Sequence, residues 1–160
     1  MKPFKLKRKM KTGTYMLTDV VKGLEKSKTL WKIFGSRAKA QNAIQNTKLW
    51  VSPHPWIIWV SDKTGKVIIS EKYLRTAPRR QLFLDFVHEM VHVKQFIDGR
   101  SLHDRRHKYE DRPIEIEAYK YTVEEAKSLG MNRRQIIDYL KVPWVMGDRE
   151  KRMIQNILGR

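Results

Sequence analysis

Residues 81–97 read Gln-Leu-Phe-Leu-Asp-Phe-Val-His-Glu-Met-Val-His-Val-Lys-Gln-Phe-Ile, and this stretch determines how the rest of the chain is interpreted. Apolar side chains occur almost all round a helix of this sequence, which is typical of a helix buried in a protein core. Spacings of three and four residues nevertheless place one polar stripe along it, formed by Gln81, Asp85, His88, His92 and Gln95. The stretch therefore predicts a long buried helix that carries a polar site.

The same stretch contains the pattern His88-Glu89-x-x-His92, whose two histidines lie on the stripe. Two histidines four residues apart lie one above the other on a helix, so both imidazoles can bind one zinc ion. Glu89 between them can reach a water bound to that metal and accept its proton. The alternative is a buried helix whose histidines are only hydrogen-bonded, but a metal explains the costly burial of several polar groups more directly. We expect one Zn²⁺ per chain.

Composition restricts the ligands and the partners. The 160 residues contain no cysteine, so a metal site must use His, Asp or Glu. The formal net charge of +17 favours polyanions such as nucleic acid, although a solvated basic surface is the alternative. The chain shows neither the apolar core of a signal peptide nor 18 consecutive apolar residues, so we expect a cytoplasmic protein without a membrane partner. Its oligomeric state stays open.

Outside the central helix the patterns predict an α+β fold. Residues 1–12 are rich in Lys and Arg and are expected to form a basic flexible arm before a single domain at 13–160. Within that domain, 13–76 is the helical and β-sheet part, and 77–160 holds the active-site helix, a second helix and C-terminal helices. The β-branched and aromatic residues at 56–69, interrupted by a turn at 62–65, predict a β-hairpin.

A catalytic zinc usually has three protein ligands, so a third must come from elsewhere. The candidates in the sequence are Asp98, His103, His107, Glu115 and Glu117. Asp98 would turn away from the metal if the helix continues through Gln95, and neither histidine has the short spacing of three-histidine proteases. Glu115 shares a helical face with small and apolar residues, namely Ala118, Thr122, Ala126 and Leu129, and this face suits close helix packing. Glu115 is therefore the predicted ligand, with Glu117 as the alternative.

At these motifs the chain resembles the gluzincins. These zinc metallopeptidases carry His-Glu-x-x-His on one helix and a ligand glutamate, in Glu-x-x-Ala-Asp or a related sequence, on a later helix. Glu115-Ile116-Glu117-Ala118 is similar to the second motif, and Gln95 soon after His92 is similar to small prokaryotic and phage gluzincin-like domains. The resemblance implies a minimal zincin fold, with a small sheet packed on the active-site helix and a glutamate helix after it. Tyr119 replaces the usual supporting Asp, so Asp85 or Asp111 is expected in that role.

The resulting hypothesis is a zinc-dependent metallopeptidase that hydrolyses peptide bonds, and one version of it places the enzyme near nucleic acid through the basic surface. Candidates for stabilising the transition state are Tyr109, Tyr119, Tyr121, His103 and His107. An extended peptide substrate is expected to pair with an edge strand at 66–70. One alternative is a non-catalytic nucleic-acid-binding protein, because residues 126–137 have some character of a helix-turn-helix. A degenerate zincin scaffold is another, although a scaffold would not need Glu89.

Overall fold

The structure is a computed structural model that describes residues 4–159, and it has an α+β fold. The strands are β1 (Lys5–Leu6), β2 (Gly13–Met16), β3 (Val21–Lys22), β4 (Lys48–Ser52), β5 (Ile58–Val60) and β6 (Val67–Ser70). The helices are α1 (Leu17–Val20), α2 (Lys28–Phe34), α3 (Arg37–Asn46), α4 (Glu71–Thr76), α5 (Arg79–Ile97), α6 (Pro113–Ser128), α7 (Arg133–Leu140) and α8 (Asp148–Leu158).

Helix α5 is the predicted buried helix. Pro78 precedes it, where a missing N–H costs no helical hydrogen bond, and Gly99 follows it with a φ of +77° that suits glycine. Leu82, Val87 and Met90 join the core on the sheet side, while Leu84 joins a second core formed with α6, α7 and α8. No helix in the described part of the chain, α5 included, is long and apolar enough to cross a membrane.

The main sheet has the strand order β2-β4-β6-β5. Strands β5 and β6 form the predicted antiparallel hairpin, with Ile58 opposite Ile69. Strand β6 also pairs in parallel with β4, so it lies inside the sheet and all four of its residues are buried. The prediction of an edge strand at 66–70 is therefore wrong, and the edge strands are β2 and β5. Pairing between the distant strands β4 and β6 could not be seen in a local pattern.

The predicted basic arm at 1–12 is not separate from the fold over residues 4–12. Phe4 is only 1 % exposed in the core, and β1 pairs with β3. The guanidinium group of Arg8 donates to the backbone carbonyl of Arg75 at 3.2 Å. The apolar side chains between the lysines outweigh the charge signal, because their burial holds this segment to the core. Residues 1–3 of the predicted arm lie outside the described residues.

The C-terminal helix fixes the segment that precedes α6. Glu110 is buried in a 3₁₀ turn at 109–111, and its carboxylate accepts hydrogen bonds from Arg149 and Arg152 of α8 at 2.6–2.9 Å. Asp111 also accepts from Arg152, and the N-cap residue of α6 is Arg112, which makes no side-chain cap hydrogen bond. These charge-assisted bonds hold Tyr109 beside α5 and α6.

Candidate metal centre

The structure brings two histidine side chains of α5 close to one carboxylate of α6. His88 Nε2 and His92 Nε2 lie 3.1 Å apart, and each lies 3.1 Å from Glu115 Oε1. The histidines are 5–6 % exposed, and the Glu115 side chain is 14 % exposed. Close packing of α6 on α5 through Ala118 and Thr122, both fully buried, allows this approach. His88, His92 and Glu115 therefore form a group that could hold a metal ion.

Gln95 orients the His92 ring. The amide NH₂ of Gln95 donates to the backbone carbonyl of Ile114 and to Glu117, each at 3.0 Å, so its carbonyl oxygen is the atom that faces His92. That oxygen lies 2.7 Å from His92 Nδ1, which must therefore carry the proton. In the neutral imidazole, Nε2 then keeps a free lone pair directed at Glu115 and His88.

Thr122 orients the His88 ring. Its hydroxyl donates to the backbone carbonyl of Ala118 at 2.7 Å, which leaves the oxygen as an acceptor for His88 Nδ1 at 3.4 Å. The ring of Tyr119 packs on His88 with centroids 4.2 Å apart. The predicted support by Asp85 or Asp111 is therefore wrong: Asp85 accepts from Tyr73 and Tyr139, and neither carboxylate contacts a ligand histidine.

Two imidazole nitrogens and a carboxylate oxygen face one another at 3.1 Å, an arrangement that a shared proton or a bound metal cation would stabilise. Burial lowers the pKa of His88. Burial also opposes a charge on His92, but the Glu115 carboxylate outweighs it and raises the pKa of His92 to about 9. The two histidines in turn hold the pKa of Glu115 well below its usual range despite its burial. A metal cation would replace the proton that this site otherwise binds.

Glu89 lies next to this group and is not one of its three ligands. It is 5 % exposed, and its Oε2 atom has no hydrogen-bond partner among the described residues. Burial raises the pKa of Glu89 to about 8, with the negative charges of Glu115 and Asp85 adding to the effect and His92 opposing it. An unpartnered buried carboxylate is costly, and such groups occur where chemistry uses them.

The three ligand candidates and Glu89 open into a cleft of about 720 Å³. Its lining includes the edge strand β5 with the residues around it, and also Tyr109, Arg112 and Trp144 from segments after α5. Trp144 is 47 % exposed and meets the Tyr109 ring edge-on, with centroids 5.5 Å apart. The cleft is large enough for side chains of a polymeric substrate and leads directly to the polar site.

Only some of the predicted transition-state stabilisers lie at the cleft. Tyr109 and His103 line the cleft, and the hydroxyls of Tyr109 and Tyr119 are 2.7 Å apart. Burial raises the pKa of both tyrosines well above the usual value, so their hydroxyls stay protonated. Tyr121 lies elsewhere, with the Lys32 ammonium over its ring. His107 bonds to Asp104 and does not line the cleft.

The other predicted ligands have different partners. Glu117 accepts from Gln95 and Arg100, and Asp98 pairs with Lys94 at 2.6 Å. His103 Nε2 accepts a hydrogen bond from Arg105 at 2.8 Å.

Sequence reasoning did not find the roles of Thr122, Arg112 and Trp144. Thr122 appeared only as part of the small apolar face of α6, although its position seven residues after Glu115 placed it over the histidines. Arg112 and Trp144 come from a loop and a helix connection, where no periodicity predicts the side-chain direction.

No protein-family model matches this chain, and no curated protein or solved structure shows significant similarity to it. The resemblance to gluzincins therefore depends on the two short motifs alone.

Proposed function

We propose that this protein is a zinc-dependent metallopeptidase of the gluzincin type. One observation supports the proposal above all: a buried His-His-Glu group and an unpartnered buried glutamate, Glu89, face the same cleft. The group alone would fit a structural metal site. The additional carboxyl group favours a hydrolytic role, because the positive charge of a bound metal would offset its raised pKa and leave the ionised form free to accept a proton.

The donor set favours zinc among the metals. Two imidazole nitrogens and one carboxylate oxygen are typical ligands of catalytic Zn²⁺, and three protein ligands leave a position for water. A tetrahedral zinc with bonds of about 2.0–2.1 Å separates neighbouring ligand atoms by roughly 3.3 Å. The 3.1 Å separations between the two histidine nitrogens and Glu115 Oε1 are close to that distance. Mg²⁺ and Ca²⁺ instead prefer oxygen ligands.

Bound zinc would act as a Lewis acid that lowers the pKa of a coordinated water and polarises the peptide carbonyl. Glu89 accepts a proton as water attacks the carbonyl carbon, and it transfers that proton to the amine when the C–N bond breaks. Tyr109, which stays protonated and lines the cleft, donates a hydrogen bond to the developing oxyanion. Gln95 and Thr122 keep the imidazoles in the tautomer that a ligand needs.

The sheet edge favours an extended peptide as substrate. Strand β5 pairs with β6 on one side and lines the cleft, so its other side can pair with one more strand. A peptide added there would run past the metal ligands with alternate side chains pointing into the cleft.

Peptide hydrolysis by zinc-loaded protein tests the proposal. A pool of unstructured peptides incubated with the wild type should give new amino termini, which mass spectrometry locates. Glu89→Gln keeps the shape but cannot accept the proton, so cleavage should fall by about 10²–10⁴-fold with the zinc retained. Glu117→Gln, on the same helix as Glu115, is the matched control and should keep cleavage. Equal cleavage by Glu89→Gln and wild type would refute the proposed mechanism.

A further inference from the structure

A second groove lies away from the candidate metal centre. It is formed by α3, the turn between β5 and β6, and the C-terminal end of α5, and its volume is about 680 Å³. No residue lines both this groove and the metal-centre cleft. The proposed peptidase activity therefore does not account for it.

Four lysines surround the groove: Lys39, Lys48, Lys66 and Lys94. Lys94 pairs with Asp98 at 2.6 Å, whereas no ion pair with a carboxylate is found for the other three among the described residues. No Asp or Glu of residues 4–159 lines the groove. Three uncompensated ammonium groups around one concavity form a binding site for several phosphates or other anions.

The floor between the lysines is apolar and includes an aromatic ring. Ile97 is 60 % exposed, and the partly buried ring of Phe96 lies next to it. The turn packs tightly against that ring, because a Cβ added at Gly65 would lie 2.8 Å from it. Asn42 and Asn46, one turn apart on α3, add side-chain amides at the rim. The groove therefore combines an apolar floor, side-chain amides and lysines.

We propose that this groove binds single-stranded nucleic acid. The lysines would contact consecutive phosphates, and the apolar floor would receive an unpaired base, whose edge the asparagine amides can contact. A base in a duplex is stacked on both faces and cannot enter such a floor. An acidic peptide would match the lysines but would leave the exposed apolar floor without a partner of matching chemistry.

Fluorescence anisotropy with a labelled single-stranded 12-mer, measured across a salt series, tests this proposal. The groove variant is Lys39→Ala/Lys48→Ala/Lys66→Ala. The matched control is Lys120→Ala/Lys127→Ala/Lys151→Ala, which removes the same charge from exposed positions on α6 and α8. Loss of three phosphate contacts should reduce the slope of log K against log salt by about 2 and the affinity by about 100-fold at 0.1 M salt. Ile97→Ala should weaken binding without changing the slope.

The outcomes separate the groove from general charge. A large loss for the groove variant with a small loss for the control supports the site. Equal losses in the two triple variants would show that only net charge matters and would overturn it. Equal or tighter binding of a 12-base-pair duplex, or of an acidic peptide of the same charge, would overturn the assignment to single strands. None of these binding measurements depends on bound zinc or on peptide cleavage.

Discussion

Replacement of Gln95 by alanine is the perturbation whose size the structure determines best. Gln95 is 1 % exposed and makes three hydrogen bonds: it accepts from His92 Nδ1 and donates to Ile114 O and to Glu117. The first bond fixes the His92 ring, and the other two tie α5 to the helix that carries Glu115. Alanine removes all three and leaves the buried His92 N–H without a partner.

The expected cost has two separable parts. At about 1 kcal/mol for each hydrogen bond, the free energy of unfolding of the metal-free protein should fall by about 3 kcal/mol. Loss of the partner that orients a metal-ligand histidine typically weakens metal affinity by about 10–100-fold. Glu117→Gln keeps an oxygen that can accept from Gln95, so it should change zinc affinity by no more than about 3-fold.

Urea unfolding in the presence of a chelator measures the first part, and competition for zinc with a chromophoric chelator measures the second. If Gln95→Ala unfolds more easily but binds zinc as tightly as the wild type, Gln95 serves only to join α5 and α6. That result would refute the argument that it selects the His92 tautomer. If neither quantity changes, the hydrogen bonds described here do not form in solution.

Three further predictions concern other parts of the molecule. Tyr109→Phe should lower kcat for peptide cleavage by about 10²-fold and leave the zinc content unchanged. Initial rates measure the first quantity and elemental analysis the second. An unchanged kcat would remove Tyr109 from the mechanism. Arg149 holds the pKa of Glu110 at about 2, below its usual 4.5, so this ion pair stabilises the fold above pH 4.5 and the contribution is lost as pH falls towards 2. Melting temperatures of the wild type should therefore fall more steeply over that range than those of Glu110→Gln, and parallel curves would contradict the ion pair. Gly65→Ala combines a φ of +73° with a contact of 2.8 Å to the Phe96 ring, so urea unfolding should show a loss of about 1–3 kcal/mol, and no loss would mean that the turn packs differently.

Local sequence patterns predicted those elements whose determining residues lie within one helix or one hairpin. The polar stripe on α5 and the hairpin of β5 and β6 each depend on residues a few positions apart. The preference for Glu115 over Glu117 used the faces of a single helix, and the structure places Glu115 beside the histidines.

Features that depend on long-range pairing could not be predicted in this way. The expected edge strand at 66–70 is an inner strand, because β6 pairs with β4 although β5 lies between them in the sequence. The charged residues at 4–12 are typical of a solvated arm, but burial of Phe4 in the core holds this segment to the fold. Asp111, a predicted partner of a ligand histidine, instead pairs with Arg152, which is 41 residues later. In each case a partner distant in the sequence outweighs the local signal.

Metal content is the measurement that tests the central claim most directly. The wild type, Glu115→Ala and Glu117→Ala are each purified without chelator, equilibrated with added Zn²⁺, desalted and analysed by elemental mass spectrometry. The wild type and Glu117→Ala should retain about one zinc per chain, and Glu115→Ala should lose most of it, because only Glu115 joins His88 and His92. No retained zinc in the wild type, or equal retention in all three proteins, would contradict the metal centre.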